Sequence, residues 1–301
     1  MNDRAPFAMT GFDYLLYAGI IWGWSTSWYA VTHQLGAVQP EVSVFWRFLI
    51  TAPLMFALAR WRGESCALSL KAHGALALTG MLMFSTNFIL MYYAGQWVPS
   101  GLLAVIFALA SVINLTLGVL LFGETFRWNL AIGGLLGALG VAALYAPQLG
   151  KGDTGGLAMT GLMLGVIATI CFSIGNQINA RLQRSGVAVF PAAAWGMVYG
   201  TLWAGILSLA HGSSFAVPLT GAYLGSMAFL IFSASILAFY TYLTLIGRIG
   251  PARASYATVI FPIFALMIST ALEGYHWTPL AALGLVMAVA GNVLVLRRDR
   301  V

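Results

Sequence analysis

The sequence predicts an all-α integral membrane protein: ten transmembrane helices forming two inverted five-helix repeats around a central cavity. Three observations carry this expectation. Charged residues make up only 7% of the chain and hydrophobic ones 60%, with a mean hydropathy of +0.89, more apolar material than one soluble core can bury. Lysine and arginine collect in alternate loops. One block of sequence also returns at a fixed distance, the signature of a repeated unit.

A helix rises about 1.5 Å per residue, so about 20 apolar residues cross the hydrocarbon layer. Ten runs qualify: 14–32, 42–59, 74–93, 101–121, 129–146, 157–179, 190–210, 220–245, 253–272 and 279–296. With the N-terminus in the cytoplasm, the inside segments hold Arg4, Arg60, Arg62, Lys71, Arg127, Arg181, Arg184, Arg248, Arg253, Arg297, Arg298 and Arg300. The outside loops hold only Lys151. This bias places both termini inside and asks for an even number of spans. It also removes the nucleic-acid reading that a net charge of +6 would invite in a soluble chain. The leader before residue 14 contains Asp3, Arg4 and Asp13 and no small-residue cleavage pattern, so the first run is expected to stay as a span.

The repeat is read from paired landmarks. Phe122-Gly123-Glu124 closes one apolar run and Leu272-Glu273-Gly274 another, with Trp128 and Trp277 each four residues beyond the glutamate. Both glutamates and both tryptophans stand 149 residues apart, Gly140 and Gly291 151 apart, and Pro99 and Pro251 152 apart. The glycine-rich loop 150–156 lies at the join. Two units are expected, 1–150 and 151–301. Five spans per unit is an odd number, so the second unit enters the membrane upside down.

Span 1 places Trp22, Ser25, Thr26 and Tyr29 on one face, and its Gly19 and Gly23 suit close helix approach. Trp28 and Tyr29 read as an interfacial belt, while Trp22 and Ser25 are candidates to line a cavity. Span 2 holds Arg47, the one charge expected at depth. Two roles are open to it: a structural clamp on helix-end carbonyls, or recognition of an anion. Asn87 in span 3 and Asn114 in span 4 must find partners or face solute. The stripe Gly133, Gly134, Gly137 and Gly140 in span 5 reads as packing. Span 6 carries the most polar face, with Ser173, Asn176 and Gln177. Span 8 adds Ser235 and Tyr240, and span 9 a kink at Pro262.

All eight acids and all four histidines fall in loops, tails or span edges. No nucleophile–base set, metal-ligand spacing, disulfide framework or nucleotide-binding motif occurs, so no cofactor is implied and an enzyme is not expected. Glu124 and Glu273 read as helix-end anchors, though Glu41 and Glu273 leave proton coupling open.

The ten spans, the two five-span halves, Arg47 early in span 2 and the Gly-Glu ending of span 4 resemble the drug/metabolite transporter superfamily. Within it, the chain is similar to the EamA-type branch with its YddG-type amino-acid exporters. Arg47 matches that family's span-2 arginine and Phe122-Gly123-Glu124 its Leu-Gly-Glu ending. Span 4 departs in lacking the counterpart of Pro262, and Leu272-Glu273-Gly274 reverses the Gly-Glu order. The resemblance implies a helical basket in the bacterial inner membrane that exports amino acids or similar metabolites, aromatic or otherwise apolar. A facilitator or exchanger is the first expectation, a proton-coupled exporter of cationic drugs the alternative. The expected lining is Trp22, Ser25, Asn87, Asn114, Asn176, Gln177, Ser235 and Tyr240. The expected partners are a small solute and membrane lipid, with no nucleic acid.

Overall fold

The computed structural model describes residues 9–123, 128–149 and 155–296. Glu124, Arg127, Arg4, Lys151 and the three C-terminal arginines fall outside these residues, as does most of the expected linker; Gly155 and Gly156 already belong to a helix. The described residues form helices joined by short loops and contain no strand. Its long helices are α1 (Gly11–Thr32), α2 (Pro40–Trp61), α3 (Leu70–Gly95), α4 (Ser100–Leu121), α5 (Trp128–Leu149), α6 (Gly155–Arg184), α7 (Val189–Ala210), α8 (Gly221–Ile249), α9 (Ala257–Leu272) and α10 (Pro279–Leu296). Eight of them are long and apolar enough to cross a membrane, and α9 is a shorter apolar helix of 16 residues.

Local chemistry sets the helix starts. Thr10 and Asp13 close a reciprocal capping box on α1, Pro40 occupies the first position of α2, and Ser69, Thr220 and Thr278 accept backbone N–H bonds at the starts of α3, α8 and α10. The Gly-Glu landmarks are helix stops. Gly123 and Gly274, 151 residues apart, both adopt left-handed φ values, 67° and 68°, after the last turns of α4 and α9. The reversed order at 273–274 therefore keeps the glycine in place and moves only the carboxylate.

Two features have no trace in the hydropathy pattern. A stretch of π-helix widens α3 at Gly80–Thr86, and another widens α8 at Leu230–Leu237, 150 residues later. Helix α4 breaks at Leu109, which no proline marks.

The packing repeats at the same distance. Helix α1 lies on α8 and α9, and correspondingly α6 lies on α3 and α4; α2 packs on α8 as α7 packs on α3. Three pairs, α2–α7, α4–α9 and α5–α10, map onto themselves. The glycine stripe of α5 does pack, against α10. A Cβ on Gly133 would stand 2.6 Å from the Gly291 oxygen, and one on Gly284 2.6 Å from the Gly140 oxygen. Lipid gives apolar helices no hydrophobic reason to associate, so close backbone contact of this kind supplies the cohesion. Ion pairs finish the helix ends, with Arg248 donating to Asp13 at 2.5 Å to tie the end of α8 to the start of α1.

Candidate functional site

Where α1, α4, α6, α8 and α9 meet, their side chains form two linked groups of rings. Trp24 lies 5.1 Å from Tyr242 and 5.9 Å from Phe261, while Trp28 lies 5.7 Å from Phe107, itself 4.6 Å from Phe172. Residues 24 and 28 share a face at one-turn spacing, so one helix side presents both indoles. Ser25 Oγ donates to the Phe261 oxygen at 2.9 Å beside Pro262, fastening α1 to α9.

Amides gather along the same seam. Asn176 Nδ2 donates to Asn114 Oδ1 at 3.1 Å, and Gln177 Nε2 donates to the Asn114 backbone oxygen at 2.5 Å. Asn114 Nδ2 itself donates to the Ala110 oxygen, one turn back in its own helix and next to the break in α4. Ser111, one turn earlier, bonds Asn292 of α10. The amides thus clamp α4 to α6, and the seam offers rings on one level and amide groups on the next.

The two ends of the seam differ. At one end Gly101 is pressed on α9, where an added Cβ would lie 2.6 Å from Leu266 Cα and 2.8 Å from Ser269 Cβ. The Glu273 carboxylate accepts from Ser100 N at 3.1 Å and Ser100 Oγ at 2.7 Å, satisfying a free donor at the α4 start. Toward the other end, the second half of α4 packs on α5, α6 and α10 instead of on α9. Along the seam, α4 and α9 are pressed together at the Glu273 end and part company toward the opposite one.

A second polar cluster lies between α2, α3 and α8. Arg47 is 5% exposed; its Nη2 donates to Ser235 Oγ at 3.1 Å, and its guanidinium carbon sits 4.7 Å from the Phe88 ring centre and 5.4 Å from that of Phe48. Tyr92 beside it donates to Gln34 Oε1 at 3.0 Å, and Gln34 Nε2 to Ser226 Oγ at 3.0 Å.

Of the expected lining, Ser25, Asn114, Asn176 and Gln177 come together along the seam. Ser235 is in the Arg47 cluster, and Tyr240 packs against the apolar core between α2, α3 and α7. Asn87 is buried and donates to the Met83 oxygen of its own helix. Trp22 is displaced from the expected lining: it is 61% exposed, on the side of α1 opposite Trp24 and Trp28. Trp28, expected at the interface, turns inward. The polar pattern of span 1 pointed to the wrong face because indoles stand on both of its faces, and only their ring partners on distant spans distinguish them. Those partners, Phe107, Phe172, Tyr242 and Phe261, carry no sequence signal beyond being apolar.

Among the described residues no acid sits at mid-helix. Glu41, in the first turn of α2, is fully buried and bonded to the Tyr93 hydroxyl at 3.1 Å and to His211 Nδ1 at 2.6 Å. No group of His, Cys, Asp and Glu among the described residues could hold a metal. A separate apolar groove of about 310 Å³ opens between α4 and α5, lined by Val112, Thr116, Leu130 and Leu135; it lies on the side of α4 away from Asn114.

The same family pattern matches this sequence twice, over residues 9–146 and again over 159–297. The chain belongs to the EamA-like transporter family. An inner membrane transporter of Escherichia coli (strain K12), named YedA and described as uncharacterized, is 26% identical over 296 residues, covering 98% of this chain and 92% of its own. A protein named "Probable amino-acid metabolite efflux pump" in the same organism is 24% identical over 286 residues, covering 91% of this chain and 92% of its own. The "Probable terminal-alkyne amino-acid exporter" of Streptantibioticus cattleyicolor is 26% identical over 230 residues, 74% of this chain and 73% of its own. A solved crystal structure superposes with a TM-score of 0.65 at 18% identity, over 95% of this chain and 96% of that one, a likeness of fold. Membership of the EamA-like transporter family makes the chain a transporter and not an enzyme. The starts of the two matches, 150 residues apart, agree with the spacing of the π-helical turns.

Proposed function

We propose that this transporter exports small amino-acid-like metabolites from the cytoplasm across the bacterial inner membrane by alternating access. Two five-helix halves of opposed orientation, 1–150 and 151–301, would open one shared seam to either side, with both chain termini cytoplasmic. The observation that carries the reading is the ring-and-amide seam, along which α4 and α9 are pressed together at the Glu273 end and parted toward the other. In that orientation the parted end faces the cytoplasm, ready to receive solute. The rings favour a substrate with an apolar or aromatic side chain, and polar groups in and beside the seam can fix its polar end. The names of the efflux pump and exporter relatives agree with this class.

The test is flux in liposomes. Purified protein is expected to release preloaded L-phenylalanine, L-leucine or L-methionine down its own gradient, with or without a protonophore. Absence of flux for a broad amino-acid panel would remove the proposal. Flux of cationic drugs that stops when the pH gradient collapses would favour the proton-coupled reading, for which buried Glu41 and its His211 contact speak.

Substitutions refine the seam. Trp24→Ala is expected to lower flux about fivefold, while Trp22→Ala leaves it within about twofold, since its surroundings match lipid. Asn176→Ala and Asn87→Ala should each cut flux about tenfold while the protein still folds, although Asn176→Ala also removes a bond between α6 and α4. Normal flux in both asparagine variants would take these residues out of the lining.

A further inference from the structure

We propose that Arg47 binds the carboxylate of the transported solute, with Asn87 accepting from its ammonium group, so that the substrate is an α-amino acid in its zwitterionic form. This assignment rests on the transport reading above and names the class of solute for it.

Among the described residues, the buried guanidinium has no counter-charge. The described ion pairs join Arg62 to Glu64, Arg248 to Asp13 and His211 to Glu41, while Glu273 caps α4; none of these carboxylates reaches Arg47. A buried cation held only by neutral groups is unfavourable in a low-dielectric interior unless an anion joins it. Its neighbours orient it without neutralising it. Ser235 sends its own proton to the Leu230 oxygen at 2.9 Å, and Tyr92 sends its proton to Gln34, so both hydroxyls turn lone pairs to the arginine. Phe88 and Phe48 border the guanidinium, and Nε has no partner. A guanidinium has five N–H donors in a fixed plane, and a carboxylate accepts from two of them side by side.

Helix α3 carries unsatisfied polar groups of the complementary kind. Asn87 Oδ1 and Ser85 Oγ, on α3 next to the Phe88 that borders Arg47, are buried with no hydrogen-bond partner. An orphaned amide oxygen suits an ammonium donor. The position 149 residues after Arg47 is Gly196, where an added Cβ would meet the Phe84 ring at 2.8 Å. The second half has no room for a matching cation there. One cation fits a carboxylate and falls short of the two or more that a phosphate dianion would call for.

The decisive comparison needs no variant. Wild-type protein in liposomes is given radiolabelled L-phenylalanine and L-leucine, then their amides, which keep the ammonium and side chain but lose the carboxylate. The acids are expected to be transported with a KM about thirtyfold lower than the amides. Arg47→Gln should erase that preference by weakening the acids and sparing the amides, and Arg47→Lys should restore part of it. Equal transport of acids and amides by the wild type would overturn the Arg47 assignment and leave amino-acid transport standing. An equal loss for acids and amides in Arg47→Gln would mark Arg47 as a helix clamp and overturn it as well. No flux of any amino acid would sink both readings together.

Discussion

Gly140→Leu is expected to be strongly destabilising. An added Cβ there stands 2.5 Å from the Ala288 nitrogen and 2.6 Å from the Gly284 oxygen. Both are backbone atoms, so no rotamer change relieves the overlap and α10 must lift off α5. Overpacking of this kind costs about 3 kcal/mol, and the lost contacts along the crossing add to it. The thermal midpoint of the purified protein should fall by roughly 10 °C. Gly134→Ala is the control, since the atom it meets, at 2.9 Å, is a Val112 methyl that can move. Equal melting of Gly140→Leu and wild type would show that the α5–α10 crossing does not hold the halves together.

Gly101→Val should act on conformation more than on stability. It wedges α4 from α9 only at the Glu273 end of the seam, where the new atom meets Leu266 Cα and Ser269 Cβ. Adding Glu273→Ala removes the acceptor for Ser100 N and Oγ at the same place. The pair should shift the population toward a form opened at that end by about tenfold or more, the equivalent of about 1.4 kcal/mol. The readout is labelling of Phe107→Cys, in a background where Cys66 and Cys171 are replaced by serine, with a membrane-impermeant maleimide added on the Glu273 side. Faster labelling with reduced net flux is expected. An unchanged labelling rate would mean that these contacts are not the closure.

What the sequence disclosed follows from what lipid demands. A bilayer imposes length and apolarity on each crossing, so the expected run 101–121 and the helix Ser100–Leu121 nearly coincide. The expected 157–179 stops short of Gly155–Arg184 because a helix can continue past its apolar stretch, as the exposed Arg181 and Arg184 do here. The landmark pairs were legible because helix stops require glycine, and glycine is visible in the letters. Faces were harder. Inside a membrane, apolar residues point both to lipid and to the core, which is why Trp22 and Trp24 could not be told apart. The π-helical turns and the break at Leu109 are matters of backbone hydrogen bonding, and no residue type announces them. Arg47 stood out at once as a charge among apolar neighbours, whereas the absence of an acid beside it needed three dimensions.

The α5–α10 crossing has a bearing on how such a duplicated chain can specialise. Gly133 meets Gly291 and Gly140 meets Gly284, so each copy presses on the image of the other's own surface. A side chain gained by one copy would collide with its twin, and neither is free to drift alone. The place filled by Arg47 in one copy and Gly196 in the other carries no such mutual constraint. There the ancestral likeness could lapse, giving a molecule with matching halves a distinct grip for a cargo whose own two ends are unlike.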